Sequence, residues 1–144
     1  MKIALDAMGG DHGVAVNVEA ALLSLKTFAD IKQIYLIGDQ EEIKKETAKW
    51  DSSDRNKIEI VHSEQVVTMK DSPSSALRQK KNSSLAIMFD LQKNGLAHAS
   101  VSAGNTGAVM AFALRKLGRL QGINRPGIAV ALPTITDKPV IILD

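Results

Sequence analysis

The chain is predicted to be an α/β domain with a mainly parallel sheet, and three observations support this. Apolar runs of strand length alternate with segments of helical period. Two glycine-rich turns each join such a run to a helix-like segment, and 144 residues at 44% hydrophobic content suit one buried core over 1–144. Strands are expected at about 2–6, 33–38, 57–62, 98–102, 127–132 and 139–144. Val14, Val18, Ala21, Leu22, Leu25 and Ala29 recur on one helical face, predicting an amphipathic helix over 14–29 that packs on the sheet. Asp39 followed by Glu42 has the form of a capping box and opens a charged surface helix to about Lys49, with Ile43 and Trp50 as its apolar contacts. Ser72 before Pro73 starts the next helix, because proline at the first helical position gives up an N–H that has no partner there. Asn82-Ser83-Ser84 offers another start, for a helix carrying Leu85, Met88, Phe89 and Leu91 and stopped by Asn94-Gly95. The last helix follows Thr106 and runs to about Gly118. Pro139 to Asp144 reads as a core strand with no helix after it, so it needs cover from elsewhere, and a truncated chain is expected.

The bulk composition excludes several classes of function. A net charge of +2, from 18 Lys and Arg against 16 Asp and Glu, is a small excess and not a basic face. With 3% aromatic residues there are few platforms for stacking bases, so nucleic acid is not an expected partner. The lack of cysteine removes disulfides, thiolate nucleophiles and zinc–cysteine sites, and fits a reducing compartment. Met1 to Met8 is interrupted by Asp6, and no apolar run approaches the roughly 18 residues of a membrane span, so a cytoplasmic location is expected.

Chemistry is concentrated in two loops. Ser102-Ala103-Gly104-Asn105-Thr106-Gly107 lies between an apolar run and an Ala-rich helix, and Asp6-Ala7-Met8-Gly9-Gly10-Asp11-His12-Gly13 lies between the first strand and the first helix. Small residues let backbone approach a ligand, and a helix that starts just after the turn presents unpaired N–H groups to an anion. The glycines match neither the dinucleotide fingerprint nor a P-loop, so a small anion such as phosphate is the expected guest, and two such loops in one sheet predict one shared crevice. Either loop could instead serve chain reversal alone. Asp6, Asp11 and His12 lie along one tight turn without ligand partners at a useful spacing, so no metal is expected. Asp11 is read as an orienting or helix-capping carboxylate, His12 as a proton carrier, and His62 and His98 as structural histidines at strand ends.

The stretch from Met69 to Ser84 mixes hydroxyls with Arg78, Lys80 and Lys81, a composition that suits an acyl or phosphoryl ligand, or else a solvated helical face. Arg78 is the strongest candidate in it. Arg125 before Pro126 is a second cation on a rigid turn.

These segments together resemble the phosphate acyltransferase family called PlsX. The resemblance rests on Asp6-Ala7-Met8-Gly9-Gly10-Asp11-His12, on Asp71-Ser72-Pro73 with Ala76-Leu77-Arg78 and Lys80-Lys81, on Ser102 to Ala108, and on Arg125-Pro126 with Leu132-Pro133-Thr134, in one order. Gly13-Val14 departs from the Ala-Pro that usually follows the histidine. The resemblance implies a three-layer αβα fold related to phosphotransacetylases and the isopropylmalate dehydrogenase group, with this chain as the N-terminal portion of a longer enzyme. It implies transfer of a long-chain acyl group from acyl carrier protein to inorganic phosphate in phospholipid synthesis, with phosphate as a substrate and no cofactor. A homodimer and loose association with the inner membrane surface follow from the same resemblance.

No protein nucleophile is needed, since phosphate can itself attack the thioester when it is oriented beside it. On this reading the catalytic candidates are His12 for proton transfer, Asp11 to orient it, and Asn105 and Arg78 for the oxyanion. Substrate or phosphate contacts are expected from Asp6, Gly9, Gly10, Ser72, Lys81, Ser102, Gly104, Thr106, Gly107 and Arg125. The alternatives are acyl transfer between coenzyme A and phosphate on the same fold, and a non-catalytic module that binds phosphate or the carrier.

Overall fold

A computed structural model describes residues 1–50, 53–135 and 138–144. Strands β1 (Lys2–Asp6), β2 (Gln33–Gly38), β3 (Ile58–His62) and β4 (Ala99–Val101) form a fully parallel sheet in the order β3-β2-β1-β4. Side chains alternate across it as a pleat requires. Ile3 and Leu5, Ile34 and Leu36, and Ile58 and Ile60 pack on one face, while Ala4, Tyr35, Ile37 and Val61 pack on the other.

Helices α1 (Gly13–Thr27) and α2 (Gln40–Ala48) cover the first face through Val18, Leu22 and Ile43. Helices α3 (Pro73–Gln79), α4 (Ser84–Lys93) and α5 (Thr106–Lys116) cover the second through Ala76, Leu85, Met88 and Phe112. Crossovers between parallel strands are right-handed, so reversing the direction of travel across the sheet moves the connecting helix to the opposite face. The chain travels from β1 out to β3 and then back past β1 to β4, and the helices divide accordingly into the outer layers of an αβα sandwich. Each large apolar side chain buried between layers contributes about 1.5–3 kcal/mol.

The helix starts are chemically legible. Asp39 Oδ1 accepts the N–H groups of Glu41 and Glu42, each at 2.9 Å. The Asp39 N–H goes to Met8 Sδ at 3.3 Å, so this cap uses the aspartate side chain and also ties α2 to the β1 loop. Ser72 Oγ accepts Ser75 N–H and Ser83 Oγ accepts Ala86 N–H, each at 3.3 Å. Pro73 stands at the first position of α3, as expected.

One expectation is overturned. The apolar segments near 127–132 and 139–144 do form strands, β5 (Ala129–Leu132) and β6 (Val140–Leu143), but they pair antiparallel with each other and add nothing to the parallel sheet. The terminal segment is exposed, with Ile141 at 56% and Leu143 at 74%, which agrees with the expectation that its cover lies elsewhere. Apolar content marks a segment as able to be buried. A two-stranded ribbon satisfies its shared backbone bonds but has no interior of its own.

The loop between β3 and α3 is fastened by one carboxylate. Asp71 Oδ2 accepts from Lys80 Nζ at 2.6 Å, Thr68 N–H at 2.6 Å and Thr68 Oγ1 at 2.8 Å, and Lys80 Nζ also donates to the Val66 carbonyl at 2.7 Å. The bond from Lys80 first, then those from Thr68, favour the charged form and lower the carboxyl from 3.8 to about 2. A folded-state value below the unfolded one means the fastening is complete above about pH 3.8 and lost as pH falls toward 2. A carboxyl-detected NMR titration should therefore place the Asp71 midpoint near 2, and Lys80→Met should move it upward. A midpoint near 3.8 in the unaltered chain would refute the network.

Candidate functional site

Strands β1 and β4 are neighbours in the sheet, yet the chain leaves β1 toward β2 and arrives at β4 from the opposite direction. Connections that diverge from adjoining parallel strands open a crevice at the carboxyl ends, the usual ligand position in doubly wound sheets. Both glycine loops emerge there, one following Asp6 and one following Val101.

The loops are interlocked by a buried carboxylate. Asp6 is 2% exposed. Its Oδ1 accepts the N–H groups of Met8 and Gly9 at 3.1 Å, which folds the first loop back on its own strand. Its Oδ2 accepts the Ser102 hydroxyl at 2.7 Å, and Ser102 Oγ in turn accepts Gly104 N–H at 3.1 Å. One charge thus organises both turns through charge-assisted bonds. The approach leaves no room for a side chain at Gly9, where a methyl would stand 2.5 Å from Asp6 Oδ2 and 2.9 Å from Gly104 N. Gly10 adopts φ 96°, a conformation that favours glycine.

From below, Asn17 of α1 clamps the first loop by donating to the carbonyls of Ala7 at 2.9 Å and Gly9 at 2.8 Å. Sequence reasoning missed this residue. Its signal was an amide on the apolar face of α1, beside Val14, Val18 and Ala21.

A cavity of about 220 Å³ opens between the loops and the first turn of α1, lined by Gly9 to Gly13, Asn17 and Ala103 among others. His12 is the N-cap of α1 but its side chain makes no capping bond, so no side chain covers the first-turn N–H groups from that position. Asp11 and His12 are both exposed on this cavity. Asp11 is therefore not the helix cap, and among the described residues no hydrogen bond or ion pair joins it to His12. The second loop ends on α5, whose N-cap Asn105 accepts Ala108 N–H at 3.0 Å, with Thr106 and Gly107 as the first two helical residues.

Several sequence candidates hold structure together in this arrangement. Asp6 has both oxygens committed. Ser102 is engaged with Asp6 and Gly104, and Ser72 caps α3. Asn105, expected as an oxyanion donor, spends its amide on the carbonyls of Asp71 at 2.9 Å and Thr68 at 3.2 Å, fastening the β3–α3 loop to the start of α5. These are positioning residues.

Arg78 and Lys81 are not among the residues lining the loop cavity; they line a different groove between α3, α4 and α5. Thr106 and Arg125 come together on a third cavity, an apolar trough of about 530 Å³ along α5 that includes Val109, Met110, Ala113 and Leu114. His98 Nδ1 accepts Lys2 N–H at 2.9 Å and His62 Nδ1 accepts Gln40 N–H at 3.3 Å, so both are structural as expected.

The interlock can be measured. Asp6→Ala strands two N–H groups and a hydroxyl, and should cost about 2–4 kcal/mol in urea unfolding. Gly9→Ala should cost about 1–3 kcal/mol by overpacking. Losses below about 0.5 kcal/mol, the range of ordinary surface changes, would show that the loops are held by other means.

The family described as fatty acid synthesis protein matches residues 1–144. Proteins named phosphate acyltransferase from Shewanella sp. strain ANA-3, Shewanella putrefaciens strain CN-32 and Shewanella baltica strain OS155 are each 46% identical over 144 residues. The similarity covers all of this chain and 42% of each relative, so the chain spans less than half the length of the curated relatives it matches. It runs through both glycine loops, the Asp71-Ser72-Pro73 turn and the Arg125-Pro126 turn, and on this match the chain belongs to the fatty acid synthesis protein family, that of the PlsX phosphate acyltransferases.

Proposed function

We propose that the crevice serves acyl transfer to inorganic phosphate, with a long-chain acyl group on acyl carrier protein as the donor and acyl phosphate as the product. The observation that carries this reading is the interlock of two glycine loops at the reversal point of the sheet, through Asp6, Ser102 and Gly104. The name of the relatives, phosphate acyltransferase, agrees with it.

Phosphate would be held by backbone N–H groups of the Gly10 to Gly13 loop, where the positive end of α1 favours negative charge. A phosphate oxygen attacks the thioester carbonyl carbon, forming a C–O bond and a tetrahedral oxyanion. N–H groups at Thr106 and Gly107, at the start of α5 capped by Asn105, would serve as donors for that oxyanion. Collapse of the intermediate breaks the C–S bond, and the thiolate takes a proton to leave as the free carrier thiol. His12 is exposed on the loop cavity and can supply that proton. The trough that starts at Thr106 offers the apolar bed a long acyl chain needs, with Arg125 as a cation on its lining.

The test is to incubate this chain and a full-length Shewanella phosphate acyltransferase with inorganic phosphate and either long-chain acyl carrier protein or acetyl coenzyme A. Acyl phosphate formed from the carrier thioester supports the reading. Product from acetyl coenzyme A alone would replace it with the phosphotransacetylase-like reaction. In the active background, the equivalent of His12→Ala should lower kcat about 100-fold. An unchanged kcat would remove His12 from the chemistry.

A further inference from the structure

The groove that holds Arg78 lies between α3, α4 and α5, has a volume of about 710 Å³, and has a floor of Leu77, Ala86 and Phe112. Its rim carries Arg78, Lys81 and Arg115, all exposed. None of the three has an ion-pair partner among the described residues, and no acidic side chain lines the groove. Lys116 also reaches it but is neutralised by Asp90 at 2.7 Å.

The chain as a whole carries only +2, so three uncompensated cations around one cavity are a local concentration and not a share of a general excess. Like charges gathered on a cleft focus its field outward and favour an anionic partner. The apolar floor requires that the partner also bring an apolar contact. A small anion would be better served by the glycine loops, whereas cations spread over α3, the turn that follows it and α5 match a row of carboxylates.

We propose that this groove docks an acidic helix of the acyl-bearing carrier protein, with its carboxylates on Arg78, Lys81 and Arg115 and an apolar side chain on Phe112. The identity of the partner rests on the transfer reading above. Position supports it. Ser74 lines the groove, and the adjoining Pro73 packs on the first turn of α5, where a methyl on Gly107 would stand 3.0 Å from Pro73 Cγ. A carrier seated there has one end beside the second glycine loop.

The test titrates fluorophore-labelled carrier protein lacking an acyl group with the 144-residue chain at low and raised salt. Phosphatidylglycerol vesicles and inorganic phosphate form separate arms. Binding should weaken with salt, fall about tenfold or more in Arg115→Glu, and fall further in Arg78→Glu/Arg115→Glu. Arg115→Lys should retain it, as should Lys45→Glu on α2. Equal loss in Lys45→Glu and Arg115→Glu, or no loss in either, overturns the proposal. So does loss of vesicle binding with carrier binding intact, which assigns the groove to a lipid surface. If the unaltered chain fails to bind phosphate while carrier binding follows the groove cations, the docking surface stands and the reading of the loops fails. If phosphate binds but the carrier response is indifferent to Arg115→Glu, the loops keep their role and the docking surface is overturned.

Discussion

The carboxylate of Asp6 is the constraint on which the crevice depends, because it is buried, charged and shared between two loops that are remote in the chain. A buried carboxylate is tolerated only when its lone pairs are satisfied, and here the satisfying donors come from its own loop and from Ser102, 96 residues away. That requirement fixes the separation of the loops. It also explains why Gly9 has no side chain, since the space a methyl would fill holds Asp6 Oδ2, Gly104 N and Ser102 Oγ. The charge is placed to hold backbone, and the backbone is thereby left to meet a ligand.

A second fastening extends the same logic outward. Asn105 joins the start of α5 to the carbonyls of Thr68 and Asp71, while Asp71 closes its own loop through Thr68 and Lys80. The amide of Asn105 therefore works on both sides of a junction, capping a helix with its oxygen and holding a loop with its nitrogen. Cavities border this framework: a small one at the first loop, an apolar trough along α5, and a cationic groove between α3, α4 and α5. Their different linings suit the three parts of the proposed reaction, namely phosphate, an aliphatic chain and an acidic protein.

Much of the fold was legible because local rules and tertiary demands agree. Asp39, Ser72 and Ser83 each have a side chain that accepts helix N–H groups, and the apolar spacing of α1 matches the face that packs on β1 and β2. Legibility failed where the same residue type serves two ends. An Arg on a short helix reads as an oxyanion partner or a rim cation, and only the packing of α3 on α5 settles that Arg78 lines the groove. Asn17 was missed for a related reason, since a polar residue on an apolar face reveals its partner only when the loop above it is in place.

The sequence by itself determined the alternation of strands and helices, the helix caps and the two glycine turns, because these depend on backbone conformation and residue type over a few positions. The tertiary structure decided which way the sheet runs, that the last two strands pair with each other, and which polar side chains hold the loops and which remain open to a partner. Those outcomes depend on contacts between residues far apart in the chain. An aspartate such as Asp6 offers the same two oxygens in any sequence, and its role is set by which donors the fold brings to it.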